Sequence, residues 1–334
     1  MILTSRWRKN SLGNHHFLVG SLVFVFGVFS LSAPLATERP SANAEIQTKI
    51  AVSVNLVLLP VNVTDAGGTF VSGLKLEDFH VFEDGQSQKL TVFEEQDTPV
   101  TVGLIVDHSR SMGNKLPNVV SAVTSFAHSS NPQDEMFVVD FNDLVSMELM
   151  KGKPFSSDAK DLENALTAVS ARGRTALYDA VSEGLQHLQI GHLDKKALIL
   201  ISDGGDNASH LKYSQVLAEA RQSKAVIYSI VLVGSNEEEN PDVLRRLCKD
   251  TGGIAYFPRN NESVENISKE IARDLREQYV IGYAPQDLKR SDAFRKVEVK
   301  VTAAGLGRLH VRTRSGYTPL PLQQPTAQLE PQTK

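Results

Sequence analysis

Apolar side chains first fall at every second position, where Val52, Val54, Leu56 and Leu58 alternate with Ser53 and Asn55. That is the period of a strand with one buried face. Around Pro60 the apolar set changes parity to Val57, Leu59, Val61 and Val63. A parity switch predicts a bulge, or a strand that passes from one sheet to another. Asp65-Ala66-Gly67-Gly68 reads as a turn and Asp84-Gly85 as a hairpin turn. Phe79 and Val81 supply apolar side chains between them, with Leu76 a further candidate, and Leu90, Val92 and Phe93 follow.

From residue 101 short apolar runs alternate with helical periodicity. The runs at 101–106, 136–141, 197–202, 225–233 and 253–257 predict strands, and 144–151 an extra edge strand. Helices are predicted at 116–129, 158–170, 176–190, 212–223, 241–250 and 262–277. In the first of these Val119, Val120, Val123, Phe126 and Ala127 keep helical spacing. Strands and helices in alternation imply an α/β fold, a doubly wound and mostly parallel sheet covered on both faces.

After residue 277 the two-residue period returns, with Tyr279, Ile281 and Tyr283, then Val297, Val299 and Val301, then Leu309 and Val311 beyond a Gly305/Gly307 turn. The β-rich flanks, 50–96 and 278–318, are each too short to bury a core alone. Together they reach the size of a small β-sandwich. We therefore expect the α/β domain to be inserted into a small β-sandwich; two satellite sheets are the alternative. The predicted layout is a signal peptide over 1–44, sandwich parts over 45–97 and 278–318, the α/β domain over 98–277, and a disordered Pro/Gln-rich tail over 319–334.

The first 44 residues carry Arg6, Arg8 and Lys9, then an uncharged run from Phe17 to Leu31, then Ala42-Asn43-Ala44. This is the order of an export signal with a small-x-small cleavage site. The apolar run is short for a spanning helix, so the protein is expected outside the cytoplasm, secreted or periplasmic. A membrane association follows only if the segment is retained. Net charge is −4, with no basic excess to draw phosphates, so nucleic acid is not an expected partner. A single cysteine, Cys248, excludes an intramolecular disulfide or a thiolate cluster. Its spacing from Leu244 and Leu247 places it in a helix core.

In open α/β sheets ligands bind beyond the carboxyl ends of the strands. Three segments deliver oxygen donors there: Asp107-His108-Ser109-Arg110-Ser111, the loop Gly173-Arg174-Thr175, and Asp203-Gly204-Gly205-Asp206. Two carboxylates and three hydroxyls form a hard, all-oxygen set with low negative charge. Such a set suits Mg²⁺, which keeps several waters and wants an octahedron; Mn²⁺ and Ca²⁺ are alternatives. Taken one at a time, Asp107 and Asp203 could equally cap the helices that follow them.

Asp-x-Ser-x-Ser after the first strand, a later Thr, and Asp-Gly after a central strand resemble the metal-ion-dependent adhesion site of von Willebrand factor A domains. The resemblance covers about residues 98–277. The β-rich flanks and export signal are similar to secreted bacterial relatives of that family. The resemblance implies that Ser109, Ser111 and Thr175 touch the metal through hydroxyls. Asp107 and Asp203 would act mainly through water or hydrogen-bonded hydroxyls. One coordination position would stay open for an acidic side chain of a protein partner. Arg110 stands where the family often has Gly, and with His108 and Asp206 is assigned to the rim of the site. His108 occupies an intervening position that also suits loop packing.

The expected function is thus an exported, metal-dependent binding or adhesion module rather than an enzyme. A structural component of an envelope assembly is one alternative. A metal-dependent hydrolase is a weaker one, since the sequence offers no recognisable His–Asp pair, no Gly-x-Ser-x-Gly and no Walker-type glycine loop. Asp179 and Asp206 are the spare acids near the site.

Overall fold

Four strands consist almost wholly of buried residues: β5 (Val100–Asp107), β6 (Glu135–Phe141), β8 (Lys195–Ser202) and β9 (Val226–Val231). Runs such as Val-Gly-Leu-Ile-Val are apolar on both sides because both sides of the sheet are covered. The computed structural model describes residues 56–319 apart from 96, 148, 150–151, 168–169, 235–237 and 287–292. The predicted signal over 1–44, Val52, Val54 and residues 320–334 of the predicted tail lie outside the described residues. Among the described residues no helix is long and apolar enough to cross a membrane.

Those strands form a six-stranded sheet in the order β10-β9-β8-β5-β6-β7, where β7 is Val145–Met147 and β10 is Ala255–Tyr256. All neighbours are parallel except the edge strand β7, which runs antiparallel to β6. Helices α1 (Leu116–Ser129), α2 (Ala159–Thr167) and α6 (Asn261–Arg276) belong to the core cluster on one face, with Val102, Leu104 and Val106 of β5. Helices α3 (Leu177–His187), α4 (Tyr213–Gln222) and α5 (Pro241–Thr251) belong to the other, with Ile105, Phe137 and Leu198. Cys248 is buried in this second cluster, as its helical spacing predicts. The predicted strand at 253–257 shortens to two residues, and the edge strand to three.

The flanking segments build two four-stranded antiparallel sheets. One has the order β13-β1-β11-β4, from β1 (Val57–Thr64), β4 (Leu90–Glu95), β11 (Tyr279–Tyr283) and β13 (His310–Arg312). The other is β14-β12-β2-β3, from β2 (Phe79–Glu83), β3 (Gln86–Gln88), β12 (Arg295–Val301) and β14 (Gly316–Tyr317). Each sheet mixes strands from before and after the α/β segment. Leu59, Val61 and Val63 of the first sheet share a cluster with Phe79, Val81 and Val297 of the second. Tyr279 and Tyr283 are fully buried in it. Glu95 lies opposite Tyr279 in the β4–β11 register, so the chain leaves for the α/β domain and returns at adjacent points.

The parity change in β1 has a different cause from the one expected. The strand shows no register shift, and it changes partner part-way along its length. Residues 57–61 pair with β11, and residues 62–64 pair with β13 on the other side. Leu59, Val61 and Val63 face the shared core, while Leu58 and Pro60 line an apolar cleft against Val100, Val226 and Leu275. Both faces are apolar because both are covered. Leu76 sits in a short 3₁₀ turn and is exposed rather than buried.

A polar knot ties the antiparallel sheets to the α/β domain. The Arg312 guanidinium donates to Asp274 Oδ1 at 2.7 Å, Tyr228 OH to Asp274 Oδ2 at 2.6 Å, and Asn62 Nδ2 to Asp274 Oδ1 at 2.8 Å. Asp274 lies on α6, Tyr228 on β9, Asn62 on β1 and Arg312 on β13. A half-buried carboxylate with this many donors is held in one position.

Candidate functional site

Strand β5 delivers Asp107 to the carboxyl edge of the sheet, where the chain turns at once. Asp107 Oδ1 accepts the backbone N–H of Ser109 at 2.8 Å, which curls the loop over the end of the strand. Oδ2 accepts the hydroxyl of Ser202, the last residue of β8, at 2.7 Å. Ser202 Oγ in turn accepts the N–H of Gly204 at 3.0 Å. Asp107 is fully buried, and burial pushes its carboxyl up to about 6; the bonds from Ser109 and Ser202 oppose this, and Asp203 adds a smaller repulsion.

The loop brings Ser109 Oγ and Ser111 Oγ to 3.1 Å from each other. Backbone bonds from Arg110 N to Gly173 O (3.3 Å) and from Arg172 N to His108 O (2.9 Å) fasten this loop to the one before α3. Gly173 has φ +74°, and a β-carbon there would strike the Asp143 carboxylate, which accepts the N–H of Arg174. Thr175 is held by its backbone: its N–H donates to Asn207 Oδ1 at 2.9 Å, and its carbonyl accepts from the N–H groups of Asn207 and Ala208.

Asp203 is buried behind the same edge. Its Oδ1 accepts the N–H of Gly205 at 3.2 Å, and its Oδ2 lies 3.3 Å from Lys115 Nζ. Lys115 also donates to Glu239 Oε1 at 3.3 Å.

Above these groups is a cleft of about 520 Å³. Ser109, Ser111 and Thr175 line it, together with Arg110, Gly173, Arg174, Asn207 and Glu238. Asp107 and Asp203 stand behind that lining. The three predicted hydroxyl residues thus converge on one cleft, with the two predicted carboxylates beneath its edge. Two oxygens about 3 Å apart match adjacent corners of an octahedron with metal–oxygen bonds of 2.0–2.1 Å. The donor set therefore fits a small hard cation. Among the described residues there is no cluster of three or more His, Cys, Asp or Glu that could hold a metal.

Of the rim residues, Arg110 is exposed and lines the cleft. His108 is not at the rim: its side chain turns inward, is almost fully buried, and pairs through Nδ1 with the buried Asp140 of β6. A His–Asp pair therefore exists, though spacing along the chain does not reveal it, and it lies under the loop, shut off from solvent. Asp206 is also turned away, accepting from Ser209 Oγ and, at 3.3 Å, from the N–H of Tyr178 at the start of α3. Asp179 is occupied by the N–H groups of His210 and Leu211, both at 2.9 Å. Sequence reasoning missed Ser202, Lys115, Asn207 and Arg174. Ser202 and Arg174 adjoin predicted ligands and were detectable on that ground; Lys115 and Asn207 are brought in by folding alone.

The sequence profile of the von Willebrand factor type A domain matches residues 102–270, from β5 through most of α6. The chain belongs to the von Willebrand factor type A domain family. Inter-alpha-trypsin inhibitor heavy chain H2 is 23% identical in its human form and 25% in its pig form, each over 188 residues. The match covers 52% of this chain but only 19% of those relatives, so the chain spans about a fifth of their length. Among solved structures, a von Willebrand factor type A protein from Catenulispora acidiphila is 12% identical, with TM-score 0.49 over 80% of this chain and 74% of that one. The von Willebrand domain of the type V pili tip protein Mfa5 from Porphyromonas gingivalis is 13% identical, with TM-score 0.44 over 54% of this chain and 97% of that one.

Proposed function

We propose that this type A domain is an exported binding module that captures an acidic side chain of a protein partner through a divalent cation, Mg²⁺ in the first instance. Ser109, Ser111 and Thr175 would hold the ion directly, with Asp107 and Asp203 supporting it through water or hydroxyls. When bound, the ion would supply a Lewis-acidic position for a carboxylate. Few direct anionic ligands would leave it electron-poor, which favours an incoming Asp or Glu.

The observation that carries this reading is the pair of serine hydroxyls 3.1 Å apart at the cleft, with their loop curled on the buried Asp107 carboxylate. Membership in the type A family supports the same role. We read the two antiparallel sheets and their shared core as one small β-sandwich interrupted by the type A domain. On this reading the sandwich displays the cleft beyond the cell envelope, after an export signal within 1–44. The reading is of a binding module and not an enzyme, and nucleic acid is not among its proposed partners.

Calorimetric titration of Mg²⁺, Mn²⁺ and Ca²⁺ into the purified full chain tests it. Saturable binding that is lost in Ser109→Ala/Ser111→Ala, with the far-UV dichroism intact, is the expected result. No saturable binding by the wild-type chain would overturn it.

A further inference from the structure

Arg110 and Arg174 stand on two different loops, each next to a hydroxyl residue of the cleft. Arg110 lies between Ser109 and Ser111, and Arg174 directly precedes Thr175. Both are exposed, and both line the cleft. The bond from Arg110 N to Gly173 O at 3.3 Å keeps the two loops in register, so the two side chains share one mouth.

Among the described residues neither arginine forms an ion pair; Arg174 makes one side-chain hydrogen bond, to the carbonyl of Asn207 at 3.4 Å. Other arginines are matched: Arg295 with Glu83, Arg312 with Asp274, Arg221 with Asp250. Lys115, the nearby cation below the site, is matched by Asp203 and Glu239. Glu238 also lines the cleft; it accepts from the neutral amide of Asn207 at 2.7 Å and keeps its charge, one carboxylate against two guanidinium groups. Two guanidinium groups beside a proposed cation site is a costly placement unless the occupant brings more than one negative charge. Like charges around a cation weaken its hold, and a ligand with a single carboxylate would spend that charge on the ion.

We infer that the cleft selects a partner segment bearing two carboxylates close together in sequence, one directed to the cation and the second to Arg110 and Arg174. This rests on the cation reading above. Guanidinium forks match the planar carboxylate geometry and keep their charge at any physiological pH. The arginines are then specificity-determining residues, and the ion supplies the anchor.

The test uses the full chain and two labelled, end-capped peptides of equal length, one with a single Glu among Gly and Ser, one with two Glu separated by one residue. Anisotropy is read with Mg²⁺ and with EDTA. Wild type is expected to bind the two-acid peptide about fivefold more tightly than the one-acid peptide, the scale of a well-formed exposed ion pair. That advantage should shrink as salt is raised, and it should vanish in R110Q/R174Q. In the same variant calorimetric Mg²⁺ affinity should hold or rise, because two nearby positive charges are gone, whereas damage to the loops would lower it. Equal binding of the two peptides by wild type, with Mg²⁺ binding intact, overturns the inference and leaves the cation reading standing. Persistence of the preference in R110Q/R174Q also overturns it. Absence of both Mg²⁺ binding and Mg²⁺-dependent peptide capture overturns the cation reading and this inference with it.

Discussion

The hydroxyl of Ser202 donates to Asp107 Oδ2 at 2.7 Å and so joins the ends of β8 and β5 beneath the cleft. The same oxygen accepts the N–H of Gly204, which starts the turn that carries Asp203. One hydroxyl thus holds the Asp107 carboxylate and the backbone that follows Asp203.

Ser202→Ala removes that link and leaves a buried carboxylate short of a donor. We expect a loss of about 2 kcal/mol in unfolding free energy, the cost of an unmet charged hydrogen bond. Urea unfolding monitored by dichroism measures it. Under the cation reading, Mg²⁺ affinity falls in the same variant even where it remains folded.

The raised Asp107 carboxyl makes the metal-free chain sensitive to pH. Burial raises it to about 6, above the 3.8 of a freely solvated aspartate, so folding favours the protonated form. The contribution is fully present below pH 4 and is lost as pH rises through 6. In EDTA the unfolding free energy is therefore expected to fall between pH 4 and 7 by up to about 3 kcal/mol from this group. Asp107→Asn, which cannot ionise, should remove that slope, and parallel urea curves across the range check it.

Lys115 neutralises Asp203 from 3.3 Å. A cation entering the site competes with that ammonium for the same carboxylate. Lys115→Met is expected to raise Mg²⁺ affinity roughly two- to fivefold, in line with the removal of a partly exposed ion pair. Calorimetry reads it directly; a fall in affinity would mean that Lys115 organises the site.

The Asp274–Arg312 pair links α6 to β13 at the junction of the α/β domain with the antiparallel sheets. Arg312→Ala leaves the largely buried Asp274 without its cation and is expected to cost about 2 kcal/mol. Wild type should unfold in one transition, and the variant should separate the loss of the sheets from that of the type A domain. Following β-sheet and helix signals through the same urea series distinguishes the two.

The periodicities of the chain carry the elements of the central sheet and its helices. Leu116–Ser129 falls where the spacing of Val119, Val123 and Phe126 puts it, because a helix buries one stripe whatever it packs against. Asp107, Ser109, Ser111 and Asp203 are nameable from the sequence because oxygen-bearing residues at strand ends are a local feature, and Thr175 because it stands just before a predicted helix. Their order along the chain follows the order of the strands.

Partners distant in sequence were not legible there. The two apolar faces of β1 look like a register change, since a linear pattern does not reveal that both faces are covered. Local spacing assigns His108 to the rim, yet its ring pairs inward with Asp140, on a strand some thirty residues away. Ser202 meets Asp107 across 95 residues, and Lys115 meets Asp203 across 88. Local spacing dictates which residues reach an edge of the sheet. Which of them face the cleft, which are buried behind it and which charges are cancelled depends on the packing of strands that only folding makes neighbours.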